Sequence, residues 1–174
     1  MSVSNNIIIV GNGHSLLENK NGSLIDSYDT VVRFNSFEIS GYEPYVGQKT
    51  DIWMTCVRQK KQHINGVKKI LIHPSNYEIT LNSIDDKNKC EIIDWNLIRS
   101  IPLEWPSSGI IAIYYFLSQK YSKLTITGFD WWKNEKHHYF GDVEVRGTTH
   151  KPLEEYKIIK KFVDEGKIFF LNPQ

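Results

Sequence analysis

Apolar residues along this chain fall into short β-branched runs and two longer stretches with helical spacing. Ile7-Ile8-Ile9-Val10 is apolar at every position and stops at Gly11-Asn12-Gly13. A run without polar alternation predicts a strand covered on both faces, as in a parallel sheet. After it, His14 to Asn19 can form a short helix, stopped by Asn21-Gly22. Thr30 to Phe34, Asp51 to Thr55 and Lys69 to His73 read as the next three strands, the last closed by Pro74. Residues 75–106 are polar and rich in Asn and Asp, with one short strand expected at Glu91 to Asp94. Pro106-Ser107-Ser108-Gly109 then opens the clearest helix. Its positions 110, 113, 114, 117 and 121 are apolar at i, i+3, i+4, i+7 spacing, and Ser107 or Ser108 is a good N-cap. Lys123 to Thr127 is a strand ending at Gly128. Leu153, Tyr156, Ile159 and Val163 mark a last amphipathic helix, stopped by Gly166, and Lys167 to Leu171 is a last strand. The alternation predicts α/β architecture: one Rossmann-like domain over residues 1–174 with a mainly parallel, twisted sheet.

Composition narrows the partners. A chain of 174 residues suits one hydrophobic core. With 21 Lys+Arg against 20 Asp+Glu the net charge is +1, which argues against a nucleic-acid partner. Cys56 and Cys90 lack disulfide-framework or metal-ligand spacing, so they read as free thiols of a reducing compartment. The N-terminus has no basic region before its four-residue apolar run, and Ile110 to Leu117 is too short to span a bilayer. The expectation is a cytoplasmic protein whose membrane contact is at most peripheral.

Ligands of parallel sheets bind beyond the carboxyl ends of the strands. The candidate residues therefore sit just after the apolar runs. Gly11-Asn12-Gly13 is either a tight turn or a phosphate site, and it lacks the third glycine of the dinucleotide fingerprint. Strand alternation sends Arg33 and Asn35 to the same side, and Asn35 can offer both donor and acceptor to a base or ribose, or simply close its strand. Ser107, Ser108 and Gly109 cap a helix, and the same geometry makes an anion site. The polar tail carries His137-His138-Tyr139-Phe140, then His150 with Glu155 five residues later. A zinc site of His137, His138, His150 and Glu155 is disfavoured, because no Cys or His-x₃-His supports it. A histidine oriented by a following carboxylate can serve as a general base. Trp131-Trp132 follows Gly128-Phe129-Asp130, and one exposed tryptophan of that pair is expected beside the site, where it would stack on a sugar.

In order and spacing these motifs resemble eukaryotic-type sialyltransferases, glycosyltransferase family 29. Ile8 to Asn12, Val32-Arg33-Phe34-Asn35 and Val46-Gly47-Gln48-Lys49-Thr50 are similar to the large sialylmotif. Pro106 to Gly109, with Leu124 to Phe129, resembles the small one. His137-His138-Tyr139-Phe140 resembles motif III, and His150 with Glu155 matches the His-x₄-Glu of the very small motif. The resemblance covers about residues 7 to 171 and implies a GT-A-like variant of the Rossmann-like fold. It also implies a CMP-sugar donor, a glycan acceptor, inversion at the anomeric carbon and no metal or other cofactor. By the same resemblance Asn12 and Asn35 contact phosphate and ribose, and Ser107, Ser108 and Gly109 hold cytidine and the sugar carboxylate. His138 hydrogen-bonds the departing phosphate, His150 takes the acceptor proton, and Gly11, Gly13, Arg33, Tyr139 and Glu155 complete the substrate-binding set. The donor sugar is sialic acid or a related 2-keto sugar acid. A non-catalytic CMP-sugar-binding module and a CMP-sugar hydrolase are the alternatives. The cysteines that join the two large motifs in animal members are absent, Ile7 and Ser122 standing near those positions. Gly141 stands where motif III is acidic or amide, and residues 75–105 and 141–149 are short. The whole reading requires Ser108 and His150 to face one cleft.

Overall fold

Seven strands form one sheet in the order β5-β4-β3-β2-β1-β6-β7, and every neighbouring pair is parallel. They are β1 (Asn6–Val10), β2 (Thr30–Phe34), β3 (Ile52–Thr55), β4 (Lys69–Ile72), β5 (Cys90–Ile92), β6 (Lys123–Thr127) and β7 (Phe169–Phe170). This computed structural model describes residues 5–56, 66–131, 136, 138–141 and 149–172. Its α-helices are α1 (Gly22–Asp26), α2 (Glu43–Val46), α3 (Tyr77–Asn82), α4 (Trp95–Arg99), α5 (Ser108–Leu117) and α6 (Pro152–Asp164). No helix among the described residues is long and apolar enough to cross a membrane.

The unbroken apolar run of β1 has the explanation its pattern predicts. Ile7 and Ile9 pack on one face with Val32, Met54, Leu71, Leu124 and Ile126, beneath Ile110 and Ile113 of α5 and Ile159 of α6. Ile8 and Val10 pack on the other face with Val31, Leu16, Ile25 and Val46. Each of these burials stabilises by about 2 kcal/mol, so β1 anchors both layers.

Sequence and structure differ at the short elements. The strand expected at Glu91 to Asp94 lies at Cys90–Ile92, because Asp94 turns out of the sheet to cap α4 by accepting from the Asn96 N–H. Within residues 75–106, α3 and α4 have six and five residues, too few to show a helical period. The last strand is two residues rather than five.

From β1 the chain adds β2 to β5 in one direction, then returns to place β6 and β7 on the other side. The loops after β1 and β6 therefore leave a crevice between them, the topological switch point where open parallel sheets bind ligands.

Candidate functional site

A cavity of ≈ 330 Å³ opens at this switch point. Asn12 and Gly13 after β1, Phe34 to Ser36 at the end of β2, Ser107 to Gly109 at the start of α5, and Gly128 to Trp131 after β6 line it. His138, Phe140, His150, Pro152 and Glu155 complete the wall. Ser108 and His150 thus face the same space.

The glycines after β1 serve close packing. A β-carbon on Gly11 would lie 2.2 Å from the Gly128 carbonyl oxygen, and one on Gly13 would lie 2.5 Å from the Asp130 carboxylate. The Gly11 and Gly13 N–H groups donate to the Thr127 and Gly128 carbonyls at 2.8 Å. Neither amide is left for a phosphate, which corrects the phosphate-loop reading. Gly11 lies behind the cavity wall and only Gly13 borders it. The expected short helix is a 3₁₀ turn, His14–Glu18. Its Ser15 N–H donates to Asp130 Oδ2 at 2.9 Å, and the Ser15 hydroxyl bonds Oδ1.

The anion-binding geometry belongs instead to α5. Ser107 caps it, its Oγ accepting from the Ile110 N–H at 3.4 Å. A helix leaves its first-turn amides without intrahelical acceptors, and Ser108 and Gly109, which carry two of them, border the cavity. Glu155 from α6 fixes this end: its two oxygens accept the Ser107 N–H at 2.8 Å and the Ser107 Oγ–H at 2.6 Å. Burial pushes the Glu155 carboxyl above its ordinary value, although the Ser107 donors and the nearby His150 pull the other way. Glu155 touches the cavity, but both of its oxygens are bonded to Ser107.

Asn35 has a φ of 52°, in the left-handed region that Asn tolerates better than most residues. That turn ends strand alternation, so Arg33 and Asn35 part. The Asn35 Nδ2 donates to Ser108 Oγ at 3.1 Å, and its Oδ1 accepts the Cys56 N–H at 3.2 Å. Burial raises the pKa of the Cys56 thiol. Asn12 Nδ2 donates to the Ser36 carbonyl at 2.9 Å, tying the β1 and β2 loops together. Arg33, 1% exposed, points away from the cavity into the layer containing Val31. It donates to the carbonyls of Val46 at 2.5 Å and Lys49 at 3.2 Å, and burial lowers its pKa to about 10. Its nucleotide-binding assignment is corrected: Arg33 holds the segment after α2.

Tyr139 is likewise a packing residue. Its phenol hydroxyl donates to the Glu38 carbonyl and accepts from the Glu38 N–H at 3.1 Å, while burial pushes its pKa up to about 12. Its own N–H donates to the Asn12 carbonyl at 2.9 Å. Anchored in this way, the segment presents its neighbours His138 and Phe140 to the cavity, with their rings stacked 5.2 Å apart at 7°. His137 lies outside the described residues.

His150 is held by a backbone group. Its Nδ1 lies 3.0 Å from the Trp105 carbonyl oxygen, which only accepts, so Nδ1 carries the proton and the lone pair falls on Nε2. The sequence assigned this orienting role to Glu155, which the structure commits to Ser107.

An aromatic wall went unread in the sequence. Phe34 meets Phe129 at 5.9 Å, Phe129 meets Trp131 at 5.7 Å, and Trp131 meets Tyr156 at 5.4 Å. Trp131 is 7% exposed and has a φ of 52°, a strained backbone for an aromatic residue. It is therefore not the exposed tryptophan expected, and Trp132 lies outside the described residues. Asp130 was also missed, although its place just past a strand at the carboxyl edge was a usable signal. No lysine or arginine is among the described residues that line the cavity. Among the described residues no group of three His, Cys, Asp or Glu is arranged to hold a metal ion.

Comparison with known proteins finds similarity to sialyltransferases. Residues 4–80 match the model of glycosyltransferase family 29 (sialyltransferase). Over 48 residues the chain is 52% identical to the human CMP-N-acetylneuraminate-beta-1,4-galactoside alpha-2,3-sialyltransferase, a stretch covering 28% of this chain and 13% of that protein. Over 45 residues it is 47% identical to the rat CMP-N-acetylneuraminate-beta-galactosamide-alpha-2,3-sialyltransferase 4, covering 26% of this chain and 14% of that one. The matched stretch thus spans only about a seventh of these curated relatives. In structure the chain resembles a mammalian sialyltransferase with a TM-score of 0.75 at 23% identity, covering 98% of this chain and 70% of that one. It also resembles the Campylobacter jejuni sialyltransferase solved with cytidine-5'-monophosphate, with a TM-score of 0.66 at 17% identity, covering 100% of this chain and 82% of that one. Residues 4–80 thus match the model of glycosyltransferase family 29, and the chain as a whole has a fold like that of the solved sialyltransferases.

Proposed function

We propose that this protein transfers sialic acid, or a related 2-keto sugar acid, from a CMP-sugar to a glycan hydroxyl with inversion and without a metal. The observation that carries the reading is the convergence of Ser108 and Gly109 at the start of α5, His138 and His150 on one cavity, with no lysine or arginine among the described residues that line it. In this reading the amides of Ser108 and Gly109 and the positive end of the helix hold the anionic donor. Asn12 and Asn35 stand beside its phosphate and ribose. The acceptor oxygen attacks the anomeric carbon from the face opposite CMP. As the new C–O bond forms, the bond to the phosphate oxygen breaks and its electron pair leaves with CMP, which gains one negative charge. His138 donates a hydrogen bond to that developing charge. His150 Nε2 takes the acceptor proton, and the Trp105 carbonyl steadies the imidazolium through Nδ1.

The test is CMP release from CMP-Neu5Ac with and without lactose, in chelator. Release that depends on lactose and yields the inverted anomer is expected. His150→Ala should lower that rate about 10²- to 10⁴-fold while CMP affinity stays within about threefold. Release that ignores lactose would make the protein a hydrolase. Binding without release would make it a carrier module, and loss of activity in chelator would overturn the metal-free mechanism.

A further inference from the structure

A file of aromatic rings leads from the core to the cavity. Tyr42 meets Tyr139 at 5.1 Å and 78°, Tyr139 meets Phe140 at 4.9 Å and 77°, and Phe140 meets His138 at 5.2 Å and 7°. The first two contacts are edge-to-face and the last is a parallel stack, both favourable arrangements for rings. Tyr139 is the fixed member, 4% exposed and bonded by its hydroxyl to the Glu38 backbone. Phe140 packs against two apolar clusters, one containing Val31 and the other Trp53. Its ring is therefore seated against the core and stacked on the imidazole, and His138 and Phe140 both line the cavity. In the proposed reaction His138 donates to the phosphate oxygen as CMP leaves, and its nitrogens lie in the plane of the ring. A hydrogen bond weakens steeply as the donor tilts out of line. A flat face confines the plane of a ring laid against it, which an aliphatic side chain of similar size does not. The phenyl face is also negative, so it favours a positively charged imidazole over it.

We propose that Phe140 is a positioning residue: its ring fixes the plane of the His138 imidazole, and through it the hydrogen bond to the departing phosphate. The proposal rests on the transferase reading above and deepens it. Phe140 acts through His138, so its effect on the phosphate disappears when the imidazole is removed. It also acts more on the leaving group than on the bound donor, because the phosphate gains a negative charge only as the bond to the sugar breaks.

The experiment is a double-mutant cycle on the intact chain with two readouts: steady-state transfer from CMP-Neu5Ac to lactose, and calorimetric titration with CMP. CMP carries the full charge of the leaving group, so it reads the same hydrogen bond without turnover. Phe140→Leu should lower kcat about three- to tenfold and weaken CMP binding by a similar factor, with the donor KM within about twofold. Phe140→Tyr keeps the ring and should stay within about twofold of wild type in kcat and CMP affinity. In a His138→Ala background Phe140→Leu should change CMP affinity by less than about twofold. Thermal melting establishes that each variant is folded, and Phe140→Met, also without a ring, repeats the test if Phe140→Leu is not. Unchanged kcat and CMP affinity in the folded ringless variant overturn the positioning role. So does an equal loss of CMP affinity in the His138→Ala background, which would make Phe140 a packing residue. If the wild-type protein binds CMP but transfers nothing, the transferase reading falls and the calorimetric cycle alone decides the role of Phe140. Absence of CMP binding by the wild-type protein overturns both.

Discussion

Removing the Glu155 carboxylate should loosen the junction of α5 and α6 by an amount that the contacts allow to be worked out. Glu155 is 5% exposed, and both of its oxygens are occupied by Ser107. In Glu155→Ala the Ser107 hydroxyl can turn to another acceptor, but the buried amide loses its partner, at a cost of about 2 kcal/mol. The space left by the side chain adds about 1 kcal/mol. A total of about 3 kcal/mol lowers the melting temperature by roughly 6–12 °C in a chain of this size. Glu155→Gln keeps a carbonyl for the Ser107 amide and turns its NH₂ toward Ser107 Oγ, which can accept, so the loss is about 1 kcal/mol. The pH dependence has a definite sign. Burial holds the Glu155 pKa above 4.5, so in the window from 4.5 up to its folded value the native state binds more proton than the unfolded chain. Stability from this group is therefore fully present below that window and declines as pH rises through it. Urea melts of wild-type and Glu155→Gln protein between pH 4 and 7 isolate the effect, because all other titrating groups cancel in the difference. Glu155→Ala melting within 1 °C of wild type, or a wild-type minus Gln difference that does not fall with pH, would refute the reasoning.

Gly11→Ala should prevent folding: its β-carbon meets the Gly128 carbonyl oxygen at 2.2 Å, backbone against backbone between the paired strands β1 and β6. Soluble yield and melting temperature measure this, and a variant within 3 °C of wild type would count against the close approach. Arg33→Lys should cost about 2–4 kcal/mol, because a lysine does not reproduce the guanidinium's bonds to Val46, Lys49 and Thr50 in a buried setting. Calorimetry should find CMP affinity of the folded variant within about threefold of wild type, whereas a tenfold loss would return Arg33 to the binding site.

The sequence made the sheet legible wherever strand apolarity was continuous, and it located α5 and α6 because each spans several turns. Helices of four to six residues left no period to read. At the site, the chain positions of Asn12, Asn35, Ser107 to Gly109, His138 and His150 were legible, and the structure brings them to one cavity. Their partners were not. Alternation failed at Asn35 because one left-handed residue breaks it, which hid that Arg33 faces the other layer. The bond from Glu155 to Ser107 and that from His150 to the Trp105 carbonyl join residues more than 40 positions apart, beyond any local pattern. Asp130 and the rings of Phe34, Phe129 and Trp131 became site residues only when β6 lay beside β1.

The pair of hydrogen bonds between Tyr139 and the backbone of Glu38 spans 101 residues, and Ser15 reaches 115 residues to Asp130. During vectorial synthesis the paired strands β1 and β2 emerge long before Asp130 and Tyr139, the late partners of Ser15 and Glu38, exist. The emerging chain therefore has the first half of the crevice with nothing to close it. The wall of the cavity is therefore complete only once α6, which brings Pro152 and Glu155 to it, has been made.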